Sequence, residues 1–298
     1  MTGAGATAGR NLPGRTGARR RTARWIELAC CGAAGLALLV LVLLIGAVLW
    51  KGAGAVRPAF LWQPSTDAGV GGGVRYQLVG TVWMTACAAA LVVPLALAVA
   101  LVATQFAGQR LASLARSGLQ LLNAVPSILF GLFGFVVFVH GLGWGKSWLT
   151  GSVLLAWMIL PTVSVTLSEA MEAVPREVTD AARALGLSRG RCAWQVVVPH
   201  SLHGLWRGLL LGVARAAGET APLLFTAVVF SGATVPNGIR NEPVLALPYH
   251  VFVLSQDSYD PAAETAAWGA ALALLGVVLL MLTLALPLRR RAFEEARG

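Results

Sequence analysis

The sequence predicts an all-α, polytopic membrane protein with six transmembrane helices, and three observations support that fold class. Hydrophobic residues fill 57% of the 298 positions and charged residues only 12%, with a mean hydropathy of +0.72, a balance an ordinary soluble domain does not reach. The apolar residues gather into runs long enough to cross a hydrocarbon core about 30 Å thick. The formal charge of +10 sits at the edges of those runs without the interleaved aromatics of a nucleic-acid face. It reads as a topology signal, and no nucleic-acid partner is expected.

The first element, residues 1–27, holds Arg10, Arg15, Arg19, Arg20, Arg21 and Arg24 among glycine, alanine and threonine. It has too little apolar surface to order itself, so a disordered, basic cytoplasmic tail is expected. Residues 28–50 are free of charge, and these 23 residues at about 1.5 Å each reach about 35 Å. They are predicted as the first transmembrane helix, too long for the apolar part of a cleaved signal. Arg19-Arg20-Arg21 faintly resembles a twin-arginine export signal, but a spanning anchor fits this length better. Cys30, Cys31, Cys87 and Cys192 lie in or beside apolar runs with no ligand spacing, which argues against a disulfide framework and a zinc site. Acylation of Cys30 and Cys31 is a weaker reading than small apolar filler.

Residues 51–77, with Gly71-Gly72-Gly73, form an extracytoplasmic segment. Further spans are predicted at 78–104, where Pro94 should introduce a kink, at 119–140 after a polar link with Arg110 and Arg116, and at 149–170, 202–230 and 266–288. Residues 289–298 form a cytoplasmic tail. With both termini inside, seventeen arginines and lysines fall on the inner side and five on the outer, leaving Arg215 within a span. That bias orients the chain in a membrane, surrounded by lipid.

Several motifs carry less than they suggest. Gly145-Lys146-Ser147 resembles the end of a phosphate-binding loop, but His140 stands where its first glycine belongs, and the segment lies outside. His200 and His203 share a helical face, yet no carboxylate or cysteine is near them in sequence, so interfacial histidines are expected rather than a metal site. No catalytic signature such as Gly-x-Ser-x-Gly or His-Glu-x-x-His occurs, so no enzymatic machinery is expected.

Residues 175–199 separate the fourth and fifth spans and carry Arg176, Arg183, Arg189 and Arg191 with Glu177 and Asp180. They are too polar for lipid and too long for a tight turn. Ala181, Ala182, Ala184 and Leu185 favour a short helix, Gly186 ends it, and Pro199 stands where the next helix begins. By composition alone the segment reads as a solvated basic loop.

Its spacing is more specific. Asp180-Ala181-Ala182, three residues, Gly186, nine residues and Val196-Val197-Val198-Pro199 resemble the Glu-Ala-Ala, Gly, Ile-x-Leu-Pro signature of bacterial ABC importer permeases, with Asp for Glu and Val for Ile and Leu. In that family the loop is a coupling helix that docks on a separate ATPase. The resemblance therefore implies ATPase coupling through Asp180, Ala181, Ala182, Gly186 and Pro199.

Other motifs narrow it further: Leu78-Val79-Gly80-Thr81, Val125-Pro126-Ser127 to Gly134, Arg215-Ala216-Ala217-Gly218-Glu219-Thr220-Ala221-Pro222-Leu223-Leu224, and Leu247-Pro248-Tyr249. Together they resemble phosphate importer permeases of the PstA type over roughly residues 70–288. This implies the ABC importer type I permease fold, with a five-helix core at 78–288, and inward transport of inorganic phosphate by alternating access. It also implies a sister permease of the PstC type, a pair of ATPases of the PstB type and an extracytoplasmic phosphate-binding protein of the PstS type. No cofactor is expected on this chain, ATP being used by the partner. Val165 stands where an arginine is common in PstA, so a PstC-type identity stays open, as does transport of sulfate or molybdate. A membrane-embedded sensor or enzyme is the more distant alternative.

Within the fifth span, Gly204, Gly208, Gly212 and Ala216 recur every fourth residue, a stripe of small side chains that suits close helix packing in lipid. Arg215 lies eight residues beyond Arg207, about 12 Å deeper along a helix and close to the middle of the membrane. An unpaired arginine there costs about 2.5 to 3.5 kcal/mol. Two readings follow. Arg215 and Glu219, four apart, form a buried ion pair that locks helices together. Alternatively, Arg215 meets the substrate, because a planar guanidinium holds two phosphate oxygens, and Glu219 gates it. Arg215, Glu219 and the adjoining Thr220 are the expected translocation residues.

Overall fold

A computed structural model describes residues 15–66, 69–232, 235, 238–257 and 260–295, with side chains described between residues 23 and 284. The chain divides into two units, Met1–Trp50 and Lys51–Gly298.

In the first unit the helix α1 (Arg15–Ala53) is already regular at Arg15, so residues 15–27 are helical where a disordered tail was expected. Alanine and arginine are good helix formers and need no packing partner to continue a helix that has been nucleated next to them. Residues 1–14 of that expected tail lie outside the described residues. The apolar side chains from Leu36 to Leu44 are exposed, as befits a segment whose solvent is hydrocarbon.

The second unit begins with α2 (Pro58–Trp62) and a hairpin of β1 (Ser65–Thr66) and β2 (Gly71–Gly72), with Ser65 opposite Gly72. At Gly72 the backbone adopts φ +75°, and a Cβ would stand 2.4 Å from the Pro64 carbonyl oxygen. Only glycine meets both conditions. Next, α3 (Arg75–Leu101) runs through Pro94 and passes into a π-helical turn over Val102–Phe106.

The predicted third span, 119–140, is not one rod. An amphipathic α4 (Gln109–Ala124) absorbs the Arg110–Arg116 link, and α5 (Ser127–Gly134), continued by a π-helical stretch to Gly141, leaves it at 95°. Pro126 lacks an N–H and pushes Val125 to extended backbone (ψ 127°), which ends α4. By contrast, α6 (Trp148–Glu172) matches the predicted fourth span, and the Ser147 hydroxyl caps it by accepting from Thr150 N–H.

Two short helices, α7 (Arg176–Ala184) and α8 (Arg189–Cys192), precede α9 (Val198–Gly218) and α10 (Ala221–Thr226). The chain ends with α11 (Leu247–Gln256) and α12 (Pro261–Glu295). Residues 289–295 continue α12, since none of them breaks a helix; residues 296–298 lie outside the described residues. Among the described residues, four helices are long and apolar enough to span a membrane, and the bent pair α4–α5 makes a fifth. The predicted span 202–230 is occupied by α9 and α10. Its histidine, arginines and glycines dilute its apolarity, and regular helix stops at Gly218.

The core lies where α3, α6 and α9 meet. Met84, Ala88, Val92, Ala96 and Ala100 on α3 face Leu155, Ile159, Val163 and Leu167 on α6, all buried and spaced by four. These i, i+4 rows are ridges that interdigitate. In lipid, dispersion and fit hold them together, because the surrounding tails are as apolar as leucine. A segment at 244–247 crosses α3 so closely that a Cβ on Gly80 would stand 2.0 Å from the Leu245 carbonyl oxygen. Thr81 Oγ1 accepts from Leu247 N–H there (2.9 Å).

On α11, His250 is 2% exposed. Its ring stacks on Phe230 at 5.5 Å, and burial lowers its pKa to about 4, against a backbone hydrogen bond with Gly69 that acts the other way. A histidine whose folded pKa lies below its unfolded value stabilises the fold above pH 6.5 and loses that contribution as pH falls toward 4. The apparent melting temperature of the detergent-solubilised chain should therefore drop over this window. The local slope is about 1.4 kcal/mol per pH unit, and His250→Gln should flatten it.

Candidate functional site

Two helix breaks come together in the second unit, and the sequence-predicted translocation residues lie at one of them. Regular helix in α9 stops at Gly218, Glu219 turns to extended backbone (ψ 132°), and α10 restarts after Thr220 with Pro222 in its first turn. Gly218 weakens the helix and Pro222 cannot donate a backbone hydrogen bond, so the break is written into the local sequence. Arg215 occupies the last turn of α9 instead of the interior of a span reaching to residue 230.

The guanidinium of Arg215 is held from two sides. Its Nη1 donates to Asn123 Oδ1 at 3.0 Å, and its Nε lies 3.5 Å from Glu219 Oε1. Asn123 stands in the last turn of α4, immediately before the Val125-Pro126 break. Across the same junction, a Cβ on Gly131 of α5 would stand 2.9 Å from the Ala221 carbonyl oxygen and 3.0 Å from Pro222 Cα. The two breaks are thus packed against each other, α5 against α10 and the end of α4 against the end of α9.

The Arg215 side chain is 38% exposed and that of Glu219 19%. The pair is therefore open on one side, and the reading of a fully buried ion lock does not describe it. Thr220 carries no capping bond on its hydroxyl, while its carbonyl accepts from Leu223 and Leu224 N–H. Chemically, the junction offers a planar cation with unused N–H donors, an adjacent carboxylate and a free hydroxyl. Asn123 was not singled out from sequence. The available signal was an amide in an apolar run, two residues before a Val-Pro step.

The glycine stripe positions Arg215. Along α9, a Cβ on Gly204 would meet Ala170 Cβ at 2.3 Å, one on Gly208 would meet Val163 Cα at 2.9 Å, and one on Gly212 would meet Ile159 Cβ at 3.3 Å. These glycines let α9 lie on the backbone of α6. Ala216, next along the row, is buried, while Arg215 points away from the contact.

Of the residues for which the resemblance implies ATPase coupling, Asp180, Ala181, Ala182 and Gly186 lie in the α7–α8 knob and Pro199 in α9. Asp180, Ala181 and Ala182 lie on α7, which starts at Arg176. Gly186 takes φ +89°, its N–H bonds the Arg183 carbonyl (2.9 Å), and Leu187 N–H bonds Ala182 (3.2 Å), a left-handed helix stop. Cys192 is buried and its Sγ approaches the Thr179 carbonyl (3.9 Å), tying α8 to α7. Leu185 is 83% exposed and Trp194 57%, leaving apolar side chains on the outside of the knob.

From α8 the backbone stays right-handed through a π-helical turn, Ala193–Val197, into α9. Pro199, in the first turn of α9, removes the N–H that would bond the Gln195 carbonyl, and its ring crowds that oxygen. The wider π turn just before it relieves the clash.

His200 Nδ1 hydrogen-bonds the Val196 carbonyl (2.7 Å) and His203 Nδ1 the His200 carbonyl (3.0 Å), so both engage the helix backbone. Among the described residues no group of three or more His, Cys, Asp and Glu is placed to hold a metal ion.

Known proteins match both the sequence and this fold. The model of the family described as binding-protein-dependent transport system inner membrane component matches residues 92–293. A phosphate transport system permease protein PstA 2 of Mycobacterium bovis is 28% identical over 263 residues, covering 87% of this chain and 84% of that one. A probable phosphate transport system permease protein PstA of Methanocaldococcus jannaschii is 34% identical over 220 residues, covering 73% and 75%. Among solved structures, a bacterial ABC transporter involved in the import of the acidic polysaccharide alginate has a chain that superposes with a TM-score of 0.60. That match covers 91% of this chain and 99% of the other at 11% identity, and so speaks to the fold alone. With several apolar helices and a family match across most of its length, the chain is a multi-pass membrane protein and belongs to the inner membrane components of binding-protein-dependent transport systems.

Proposed function

We propose that this chain is the PstA-type permease subunit of an importer that carries inorganic phosphate into the cytoplasm. Membership of the family makes it a transport component without catalysis of its own and implies binding-protein and ATPase partners. The finer assignments are a PstC-type sister permease, a PstB-type ATPase pair that uses the ATP, a PstS-type phosphate-binding protein, and both termini inside. The partner assignments rest on the sequence resemblance and on the names of the relatives, and the orientation rests on the seventeen-to-five bias of basic residues.

The observation that carries the reading is the half-open Arg215, held by Asn123 and Glu219 where two broken helices meet. Discontinuous helices at membrane depth are how transporters place polar backbone and side chains around a substrate. Phosphate would take the outer N–H edge of the guanidinium in a bidentate pair. The loose 3.5 Å contact to Glu219 would then be exchanged for the anion, with Thr220 as a neutral donor beside it. Glu219 keeps the site from holding an anion permanently, because the carboxylate competes for the same cation. Movement of the α7–α8 knob by the ATPase would pass along α9 and switch access to Arg215 from one side of the membrane to the other.

The test is copurification with the partner subunits and ATP-dependent uptake in vesicles, with phosphate, sulfate and molybdate compared. Phosphate uptake at least tenfold above the other two is expected. A preference for sulfate or molybdate would assign the chain to another oxyanion, and no flux with the full partner set would remove the transport reading.

A further inference from the structure

A groove of about 800 Å³ runs between α3 and α12, remote in sequence from Arg215, and is lined almost wholly by apolar side chains. Its size falls in the range of ligand sites. From Arg75 to Ala86, with Val79 and Trp83 between them, it follows α3 for eleven positions, about 16 Å. That matches one leaflet's share of a hydrocarbon core about 30 Å thick. Gly276 and Leu280 form the opposite wall, and no atom lies within 4 Å of the position a Cβ on Gly276 would take. The missing side chain is part of what keeps the groove open.

Arg75 is its one charged lining residue. Among the described residues no carboxylate pairs with it, and its guanidinium lies 5.8 Å from the ring centroid of neighbouring Tyr76. Beside it, Trp62 is 74% exposed, the position of a side chain that anchors at the headgroup level. An acyl-length apolar trough that ends at an unpaired cation and an interfacial tryptophan is complementary to one kind of molecule.

We propose that this groove is a binding site for an anionic phospholipid, with one acyl chain between α3 and α12 and the headgroup phosphate on Arg75. A zwitterionic lipid fills the trough equally well but brings its own cation toward the guanidinium, so the discrimination resides in the net charge of the headgroup. The inference does not depend on which anion the chain transports.

The purified transporter complex, equilibrated with phosphatidylglycerol or with phosphatidylethanolamine of the same chains, is examined by native mass spectrometry. Phosphatidylglycerol is retained about fivefold more, the scale of one basic residue's attraction to an anionic membrane. Arg75→Gln abolishes the preference while keeping the lipid, and Gly276→Leu, whose side chain enters open space, displaces both lipids. Equal retention of the two by the unaltered complex, or an unchanged preference in Arg75→Gln, overturns the proposal. Loss of a neighbouring subunit from Gly276→Leu, with the chain still inserted, also overturns it by showing that a protein helix is the occupant.

Discussion

Arg215→Lys is expected to insert and assemble as the unaltered chain does and to import phosphate roughly ten- to hundredfold more slowly, the loss of about 1.5 to 3 kcal/mol of charge-assisted hydrogen bonding. Lysine keeps the charge but not the fork. Arg215 uses Nη1 on Asn123 and Nε toward Glu219, which leaves its other donors in a fixed plane for the anion. An ammonium at that position must choose between Asn123, Glu219 and phosphate, and it holds phosphate as a point charge. Uptake in vesicles, with subunit stoichiometry checked on the same preparation, gives the answer. Uptake equal to that of the unaltered protein would relegate Arg215 to helix packing.

Gly186→Pro is expected to leave every span inserted and reduce ATP-driven uptake to background. At φ +89° the position is closed to proline, whose ring holds φ near −65°. The substitution also removes the N–H that bonds the Arg183 carbonyl. Nothing lies within 4 Å of a Cβ there, so the effect is conformational and not steric. Gly186→Ala, which pays about 1 to 2 kcal/mol for left-handed backbone, should fall between the two. Coupled uptake that survives proline would show that the knob is a passive linker.

The long apolar runs were legible because hydropathy summed over a window needs no knowledge of partners; α6 and the body of α3 are where that sum places them. The α7–Gly186–α8 knob was legible for another reason: alanine, glycine and proline act through their own backbones, so their spacing carries the geometry. What a window sum hides is where hydrogen bonding stops inside an apolar run. Val125-Pro126 and Gly218-Glu219 fall in stretches apolar enough to be read as continuous, yet both end a helix. The amphipathic α4 was taken for a link because its arginines were weighed as charge and not as one face of a helical period. Asn123 and Arg215 are 92 residues apart, and no local pattern pairs them. Their meeting depends on the bend of α4–α5 and on the packing of α5 against α10.

The paired breaks also say where the membrane ceases to behave as oil. Non-helical backbone at membrane depth is tolerated only inside protein or beside water, so the open side of Arg215 calls for a partner subunit or a hydrated notch beside it. A hydrated notch raises the local dielectric, so an arriving anion keeps part of its solvation shell while Arg215 replaces the rest. On this view the barrier that ATP-driven motion has to manage is a thin remainder of the hydrocarbon slab, above or below the notch, rather than its full thickness.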